Sequence, residues 1–261
     1  MPKFEFKKNM IIGMVHLLPL INTTHYKDNN EEIIKRAIED AKTLERANVD
    51  AIMVENMGDS PLRETLKHEQ AIMLAVIVSK IVDAVNIPVG VDAAFNDYKT
   101  SLSISKATGA SFIRIPVFVD TVIYHDGIIY PKGASAIEYR KEIMANDVKI
   151  LADIQVKYTY MLNQNIKIED SAKMAEANHA DAVIVTGSSS GDETPIDLVE
   201  RVKRIVKIPV FIGSGLSESN ILKELSIADG AIVGSSLKKD KKIENPISFE
   251  LTRKLLEKIG K

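Results

Sequence analysis

The sequence predicts a (β/α)8 barrel of the α/β class, and three observations lead to that prediction. The chain has 261 residues, the usual size of one such barrel, and 45% of them are hydrophobic, enough for a large core. Short apolar runs alternate with longer amphipathic segments, which is typical of parallel βα units. Eight runs occur, matching the strand number of the barrel. We therefore expect residues 1–261 to form a single barrel domain.

The predicted strands are rich in Val and Ile and nearly continuous in hydrophobicity. This pattern is expected of strands that are buried on both faces. The eight runs are 10–16, 50–55, 87–91, 111–116, 148–154, 181–186, 208–213 and 228–234.

Helices are predicted between the strands. Residues 33–44 place apolar side chains at a period of 3.6 with charges opposite them, as on an amphipathic helix. A later helix is expected to have Thr194 as its N-cap and Pro195 at its first position, and to bury apolar residues as far as Val206. The last helix is predicted at about 246–259 and should close the ring.

One segment after the fourth predicted strand departs from this alternation. Residues 122–125 and 128–131 flank Asp126-Gly127, a pair that favours a type I′ hairpin turn. An excursion that follows a barrel strand lies at the carboxyl-terminal face. We expect this hairpin to cover the site, to build a contact in a homo-oligomer, or to serve as a structural flap only.

The composition of the chain excludes several classes of partner and of functional site. The net charge of −2 comes from 34 basic and 36 acidic residues that are interspersed, so no general attraction for nucleic acid is expected. The chain has no cysteine, which excludes disulfides, thiolate nucleophiles and Cys-based metal sites. No apolar run is long enough for a signal peptide or a transmembrane segment. We expect a cytoplasmic protein whose partner is a small molecule.

Two Gly-Ser loops follow the seventh and eighth predicted strands. Their pairing matches the phosphate site that recurs at this position in barrels. The alternative is that Gly and Ser only make tight turns and cap helices, with Ser217 as the cap of a helix reaching Leu225. A sugar phosphate, a nucleotide or the phosphate of a flavin would fit the loops equally, although a bound flavin is not favoured. The predicted phosphate-binding residues are Gly213, Ser214, Gly215, Gly234, Ser235 and Ser236.

Charged side chains are predicted at the carboxyl ends of several strands, where barrel active sites lie. Glu55 and Asp153 are candidates for proton transfer, or for holding a divalent cation with His16 or Asp92. The identity of any metal is left open. The predicted catalytic set is His16, Glu55, Arg114, Asp153 and Lys157.

Each candidate also has a structural interpretation. Asp153 is expected either to act in catalysis or to form a buried ion pair with Arg114. Lys157 forms a Schiff base if burial lowers its pKa, and otherwise balances a phosphate or carboxylate charge. His16 is a metal ligand, a general base or a core histidine.

A second tier of polar residues lies close behind the strand ends. Asp97 alternatively caps the helix that follows it, and Asp59-Ser60-Pro61 alternatively forms a turn. The second-tier set is Asn56, Asp59, Asp92, Asn96, Asp97 and Thr186.

These motifs together resemble the BtpA/SgcQ family of barrel proteins over almost the whole chain. The resemblance implies a barrel with the site positions given above, in a family associated with photosystem I biogenesis in cyanobacteria and with a sugar-utilisation gene region in enteric bacteria. The segments that carry it are 12–20, 49–61, 87–91, 96–97, 108–114, 150–153, 157, 181–187, 213–215 and 232–238.

Three departures from the family pattern are visible. Pro116 stands where the family usually has Asn, Tyr158 stands where it usually has His, and residues 21–24 replace a Gly-rich sequence. The first two remove polar groups from the expected site, so this member is expected to differ in substrate or to lack the reaction.

Two functions follow as hypotheses. The first is an enzyme of isomerase or lyase type that acts on a phosphorylated metabolite. The second is a non-catalytic assembly or stability factor that uses the barrel as a scaffold and the hairpin near Asp126-Gly127 as its partner surface.

Overall fold

The computed structural model describes residues 2–187, 189 and 191–261, and its centre is a closed barrel of eight parallel strands. Each strand pairs with the next along the chain, and the last returns to the first. The predicted fold class is therefore confirmed. The barrel strands are β1 (Met10–His16), β2 (Ala51–Glu55), β3 (Val89–Asp92), β4 (Phe112–Ile115), β7 (Lys149–Ile154), β9 (Ala182–Val185), β10 (Val210–Ile212) and β11 (Gly230–Val233).

An α-helix follows each barrel strand and packs outside the ring. The predicted apolar stripe of the first helix is buried at Ile33, Ala37, Ala41 and Leu44. The helices are α1 (Asn30–Arg46), α2 (His68–Ala84), α3 (Tyr98–Thr108), α4 (Gly133–Glu142), α5 (Ile168–Ala177), α6 (Ile196–Lys203), α7 (Ile221–Leu225) and α8 (Phe249–Glu257).

Two of the predicted helix caps are wrong. Pro195 occupies the N-cap position of α6, and the Thr194 hydroxyl instead donates to the Ser214 carbonyl at 3.0 Å. The N-cap of α7 is Asn220, whose side-chain oxygen accepts from the Ser217 backbone N–H at 2.8 Å. A hydrogen bond between loops thus takes the Thr194 side chain, whereas the Ser217 hydroxyl makes local contacts with the Ser219 hydroxyl at 2.9 Å and Asn220 Oδ1 at 3.2 Å. The first of these helices also ends at Lys203, before Val206.

The barrel interior is filled by side chains that alternate along each strand, since neighbouring residues of a strand point to opposite faces. Phe112 lies against Gly90, where an added methyl group would come within 2.3 Å of the ring. Glycine is therefore required opposite this phenylalanine. The inward-facing apolar residues are Met10, Ile12, Met14, Ala51, Met53, Phe112, Leu151, Ala182, Ile184, Phe211 and Ile232.

The segment before β1 closes the amino-terminal end of the barrel. Phe4 is buried and stacks on Phe112, with ring centroids 4.1 Å apart. Phe6 lies 6.0 Å from Phe211 in a tilted arrangement. These rings cover the interior at the end opposite the strand carboxyl termini.

The predicted excursion after β4 is present as an antiparallel hairpin of β5 (Val122–Tyr124) and β6 (Gly127–Ile129). A short strand after the fifth barrel strand, β8 (Tyr160–Met161), adds to the other edge of β5. This third strand was not predicted, because two residues are too few to show a periodic pattern.

The predicted turn of the hairpin is wrong by one residue. Tyr124 pairs with Gly127, so His125 and Asp126 form the loop and Gly127 begins the returning strand at φ +127°. Asp126 accepts a hydrogen bond from Arg63 at 2.5 Å. His125 Nε2 lies 3.1 Å from the Leu62 carbonyl. These two tertiary contacts hold the turn in this register.

In the described part of the chain, no helix is both long enough and apolar enough to cross a membrane.

Candidate active site

The inward alternation of the barrel strands continues into charged side chains at their carboxyl ends. His16 is the register partner of Glu55, and Glu55 is the partner of Asp92. Arg114 and Asp153 occupy the corresponding inward positions of β4 and β7, two residues beyond the apolar layer. These five groups lie together because each is the last inward-facing residue of its strand, at or one residue before the strand end.

A cavity of about 830 Å3 opens above this charged layer. His16, Glu55, Asp92, Arg114 and Lys157 line one side of it. The two Gly-Ser loops line another side, and aromatic residues of the hairpin region complete the wall. All the predicted catalytic residues except Asp153 therefore face one cavity.

Arg114 forms a buried ion pair below the cavity. Its Nε and Nη2 donate to the two carboxylate oxygens of Asp153 at 2.7 and 2.8 Å, and its Nη1 lies 3.6 Å from Asp92 Oδ2. Although burial opposes a charged guanidinium, the Asp153 charge and hydrogen bonds raise the pKa of Arg114. Asp153 is fully buried and does not line the cavity, which favours the ion-pair interpretation for this residue.

Glu55 and His16 form a second pair, with Oε2 and Nε2 separated by 3.3 Å. Burial lowers the pKa of His16 despite its contact with Glu55. Burial alone would raise the pKa of Glu55, but the hydrogen bond from His16 and the nearby positive charges lower it. We infer a neutral imidazole that donates from Nε2 to an ionised carboxylate.

The pKa of Asp92 is shifted in the opposite direction to that of Glu55. Its burial and the neighbouring Glu55 charge raise its pKa well above the ordinary value, against the effect of Arg114. Oδ1 of Asp92 has no hydrogen-bond partner among the described residues. Two carboxyl groups whose environments separate their pKa values can serve as acid and base. The pair that the geometry supports is therefore Glu55 with Asp92, whereas the sequence suggested Glu55 with Asp153.

Lys157 follows β7 on a loop at the cavity wall. Its backbone N–H donates to the Thr186 hydroxyl at 3.2 Å. Burial and the Arg114 charge lower the pKa of Lys157 to about 8, against the effect of the nearby carboxylates. Its amine forms no hydrogen bond or ion pair with any residue that the structure describes. The Lys157 side chain therefore contributes a free amine to the cavity.

The two Gly-Ser loops are adjacent, as predicted from a closed barrel. The Ser236 hydroxyl donates to the Leu216 carbonyl and so links one loop to the other. Residues Ser235–Leu237 form a 3-10 helix, and the first N–H groups of such a helix have no acceptor within it. Those N–H groups are available to an anion.

Part of the glycine and serine pattern in these loops is structural. Gly215 has φ +77°, and a methyl group there would lie 2.2 Å from the Asp192 carbonyl oxygen. The Ser214 hydroxyl accepts from the Gly187 N–H at 3.1 Å and lies 3.2 Å from the Asp192 carbonyl. The Ser214 side chain thus has a structural role between loops, although it caps no helix as the alternative of tight turns and helix caps expected.

The hairpin region supplies the aromatic wall. Tyr124 lines the cavity and stacks on Phe95 with centroids 4.1 Å apart. Two of the departures from the family pattern, Pro116 and Tyr158, also line the cavity. The hairpin therefore borders the cavity.

The second-tier residues mostly build loops. Asn56 and Asp59 join through a 2.8 Å hydrogen bond, and Asp59 also accepts from the Leu20 N–H at 2.7 Å. Asn96 pairs with the Val117 backbone, and Asp97 caps α3 as expected. Asp59 and Asp92 line the cavity, whereas Asn56, Asn96, Asp97 and Thr186 do not.

Gln155, which lines the cavity, and its hydrogen-bond partner Asp120 were not predicted from the sequence. Gln155 lines the cavity at φ +48°, and its N–H donates to Asp120 at 2.7 Å. Asp120 is buried and also accepts from Ser171 at 2.6 Å. No motif marks either residue, because their contacts join segments that are far apart in the sequence.

The donor set does not favour the predicted metal site. Within the described ranges, no group of three or more His, Asp or Glu side chains is arranged to hold a metal ion. Both carboxylate oxygens of Asp153, one of the predicted ligands, accept hydrogen bonds from Arg114.

A separate titratable group lies on α7 and does not line the cavity. Glu224 of α7 is buried, and burial together with the Glu193 charge raises the pKa of Glu224 to about 7. Protonation of Glu224 therefore removes its repulsion with the Glu193 carboxylate.

Comparison with known sequences gives a match over most of the chain. The model of the BtpA family matches residues 7–261. An uncharacterised protein of Methanocaldococcus jannaschii is 37% identical over 257 residues, which cover 98% of this chain and 97% of that protein. Photosystem I biogenesis protein BtpA of Synechocystis is 34% identical over 241 residues, 92% of this chain and 84% of that protein.

Comparison with solved structures gives the fold. Thiamine phosphate pyrophosphorylase from Pyrococcus furiosus aligns with a TM-score of 0.61 at 14% identity, covering 96% of this chain and 95% of that one. The architecture is shared with this enzyme at an identity too low to carry over its reaction.

Replacing Asp153 by Asn should lower the free energy of unfolding by about 3–5 kcal/mol, because it leaves the buried Arg114 without its counter-charge. The exposed pair of Arg201 with Glu169 has the same two-bond geometry, at 2.7 and 2.8 Å, and Glu169→Gln is the matched control. Urea denaturation should show a large shift in midpoint for the first variant and a small one for the second. Equal shifts would contradict the role given to burial.

Stability should fall with rising pH through the titration of Glu224. Its folded pKa of about 7 lies above the ordinary value of 4.5, so the folded state holds the proton more tightly, and this stabilisation is lost between those pH values. Glu224→Gln should therefore be more stable than wild type at pH 8 and lose less stability from pH 5 to 8. The exposed Glu142→Gln serves as the control in thermal melts. Parallel pH profiles for wild type and Glu224→Gln would refute this assignment.

Proposed function

The chain belongs to the BtpA family, and from the cavity of its barrel we propose that it is an enzyme acting on a phosphorylated small molecule by acid/base chemistry. The observation that carries the proposal is that two different sets of residues line opposite sides of one cavity. Gly213–Gly215 and Gly234–Ser236 line one side, and a charged layer with separated pKa values lines the other. A ligand held at the first side presents its remaining atoms to the second.

The loops suit an anion for electrostatic reasons. The open N–H groups at the start of the Ser235–Leu237 turn carry partial positive charge. The Ser235 hydroxyl lies on the cavity wall and has no hydrogen-bond partner among the described side chains and backbone groups. It is free to donate to a phosphate oxygen. The name of the structurally similar thiamine phosphate pyrophosphorylase gives analogous support for a phosphorylated ligand.

The charged layer supports proton transfer of the isomerase or lyase type. Ionised Glu55, oriented by His16, is the general base. Neutral Asp92, whose Oδ1 is unpaired in the described chain, is the general acid. Arg114 lines the cavity beside them and stabilises negative charge that develops on the substrate.

Binding of phosphate tests this proposal. Ribose 5-phosphate and inorganic phosphate should raise the melting temperature, because both bind only the folded protein, whereas ribose should not. Ser235→Ala should weaken the binding of ribose 5-phosphate roughly 2- to 10-fold by the loss of one hydrogen bond. Ser235→Asp should abolish it by placing a carboxylate at the loop. Calorimetric titration gives the affinities.

The control for added charge is Ser135→Asp, on the exposed surface of α4, which should bind as wild type does. If ribose and ribose 5-phosphate gave the same response, or if Ser235→Asp bound normally, the phosphate site would be refuted.

A second candidate function, as an assembly factor, is favoured by the surface of the hairpin. The sheet of β5, β6 and β8 exposes apolar side chains, among them Ile123 at 42%, Ile128 at 47% and Tyr160 at 74%. Clustered apolar exposure is typical of surfaces that bind proteins. The Synechocystis relative is named as a photosystem I biogenesis protein, which agrees with a partner of this kind.

The two functions make opposite predictions for two variants. If the hairpin binds a protein partner, Ile123→Ser with Ile128→Ser should abolish its retention in a pull-down, because the apolar contact is lost, and Glu55→Gln should leave it unchanged. Normal retention by the double variant would contradict the assembly function. For the enzyme, Glu55→Gln should remove turnover and the double variant should keep it.

A further inference from the structure

We infer that Lys157 forms a Schiff base with the ligand, so that the substrate class is a phosphorylated aldehyde or ketone. This inference rests on the proposed function, because the phosphate loops hold the other end of the same molecule. It adds a covalent step and a carbonyl group that the acid/base proposal does not specify.

The backbone presents Lys157 to the cavity in a fixed position. On one side, Gln155 is tied to the buried Asp120. The Lys157 N–H itself is tied to the Thr186 hydroxyl at the end of the next barrel strand. On the other side, Tyr158 adopts φ +63°, a conformation that a bulky residue rarely takes. Backbone in such a conformation is concentrated at functional sites.

The amine at this position has the properties of a nucleophile. It lines the cavity and is free of hydrogen bonds and ion pairs to the described residues. The positive charge of Arg114 and the burial of the side chain disfavour its protonated form, and they lower its pKa to about 8. A lysine desolvated beside another cation is the arrangement that activates an amine for attack on a carbonyl.

Lys238 provides a comparison within the same chain. Burial lowers the pKa of Lys238 to about 8 as well. However, its side chain is fully buried, its Nζ donates to the Asn245 carbonyl at 3.2 Å, and it does not line the cavity. A lowered pKa is thus shared by two lysines, and access to the cavity distinguishes Lys157.

The surrounding groups can complete the step. The neutral amine adds to the carbonyl carbon to give a carbinolamine. The hydroxyl group then leaves as water on taking a proton from the carboxyl group of Asp92, whose raised pKa keeps that proton available. The nitrogen lone pair forms the C=N bond, so one water is released for each imine made. The resulting cationic imine accepts electrons when Glu55 removes a proton from the adjacent carbon.

Borohydride trapping tests the inference. Wild-type protein is incubated with glyceraldehyde 3-phosphate or dihydroxyacetone phosphate, reduced, digested and analysed by mass spectrometry. The peptide containing Lys157 should gain the mass of the carbonyl compound less one oxygen atom, and the peptide containing Lys238 should remain unmodified. Lys157→Arg should give no adduct, yet inorganic phosphate should still raise its melting temperature, because the Gly213–Gly215 and Gly234–Ser236 loops are unchanged.

The outcomes separate the two proposals. If phosphate stabilises the wild-type protein but neither carbonyl compound labels Lys157, the Schiff base is wrong and the phosphate site stands. Labelling of Lys238 or of exposed lysines to the same extent as Lys157 also overturns the Schiff base. If glyceraldehyde without phosphate labels Lys157 as efficiently, and phosphate does not stabilise the protein, the phosphate site is wrong while the reactive lysine stands.

Discussion

The buried guanidinium of Arg114 is the interaction on which the carboxyl-terminal end of the barrel depends. It binds both oxygens of Asp153 and lies 3.6 Å from Asp92, so it offsets negative charge that would otherwise be confined at low dielectric. It also opposes protonation of Lys157. Arg114 thereby neutralises the charge of Asp153 and limits the rise in the pKa of Asp92. It also favours the neutral form of the Lys157 amine.

The closed ring of strands brings the two halves of the site together. β1 lies between β11 and β2, so His16 at its end is adjacent both to the Gly234 loop and to Glu55. A methyl group on Gly234 would lie 2.9 Å from the His16 ring. Gly234 therefore leaves room for the imidazole that contacts Glu55.

Much of the fold and part of the site could be predicted from the sequence, because both follow from local pattern. The apolar runs gave all eight barrel strands, and the next inward residues gave His16, Glu55 and Arg114. What sequence could not supply depends on tertiary contacts. Thr194 caps no helix because it bonds to Ser214. Asp153 does not line the cavity, and Arg114 binds both of its carboxylate oxygens. Gln155 belongs to the site through Asp120, 35 residues away.

The aromatic residues at the amino-terminal end of the barrel determine from which side a small molecule can reach the cavity. Phe4 and Phe112 stack at the amino-terminal end of the barrel, and buried side chains fill the interior between them and the cavity. The cavity is therefore closed on that side. A small molecule can therefore reach the charged layer only from the carboxyl-terminal end of the barrel, past the hairpin and the Gly-Ser loops that line the cavity.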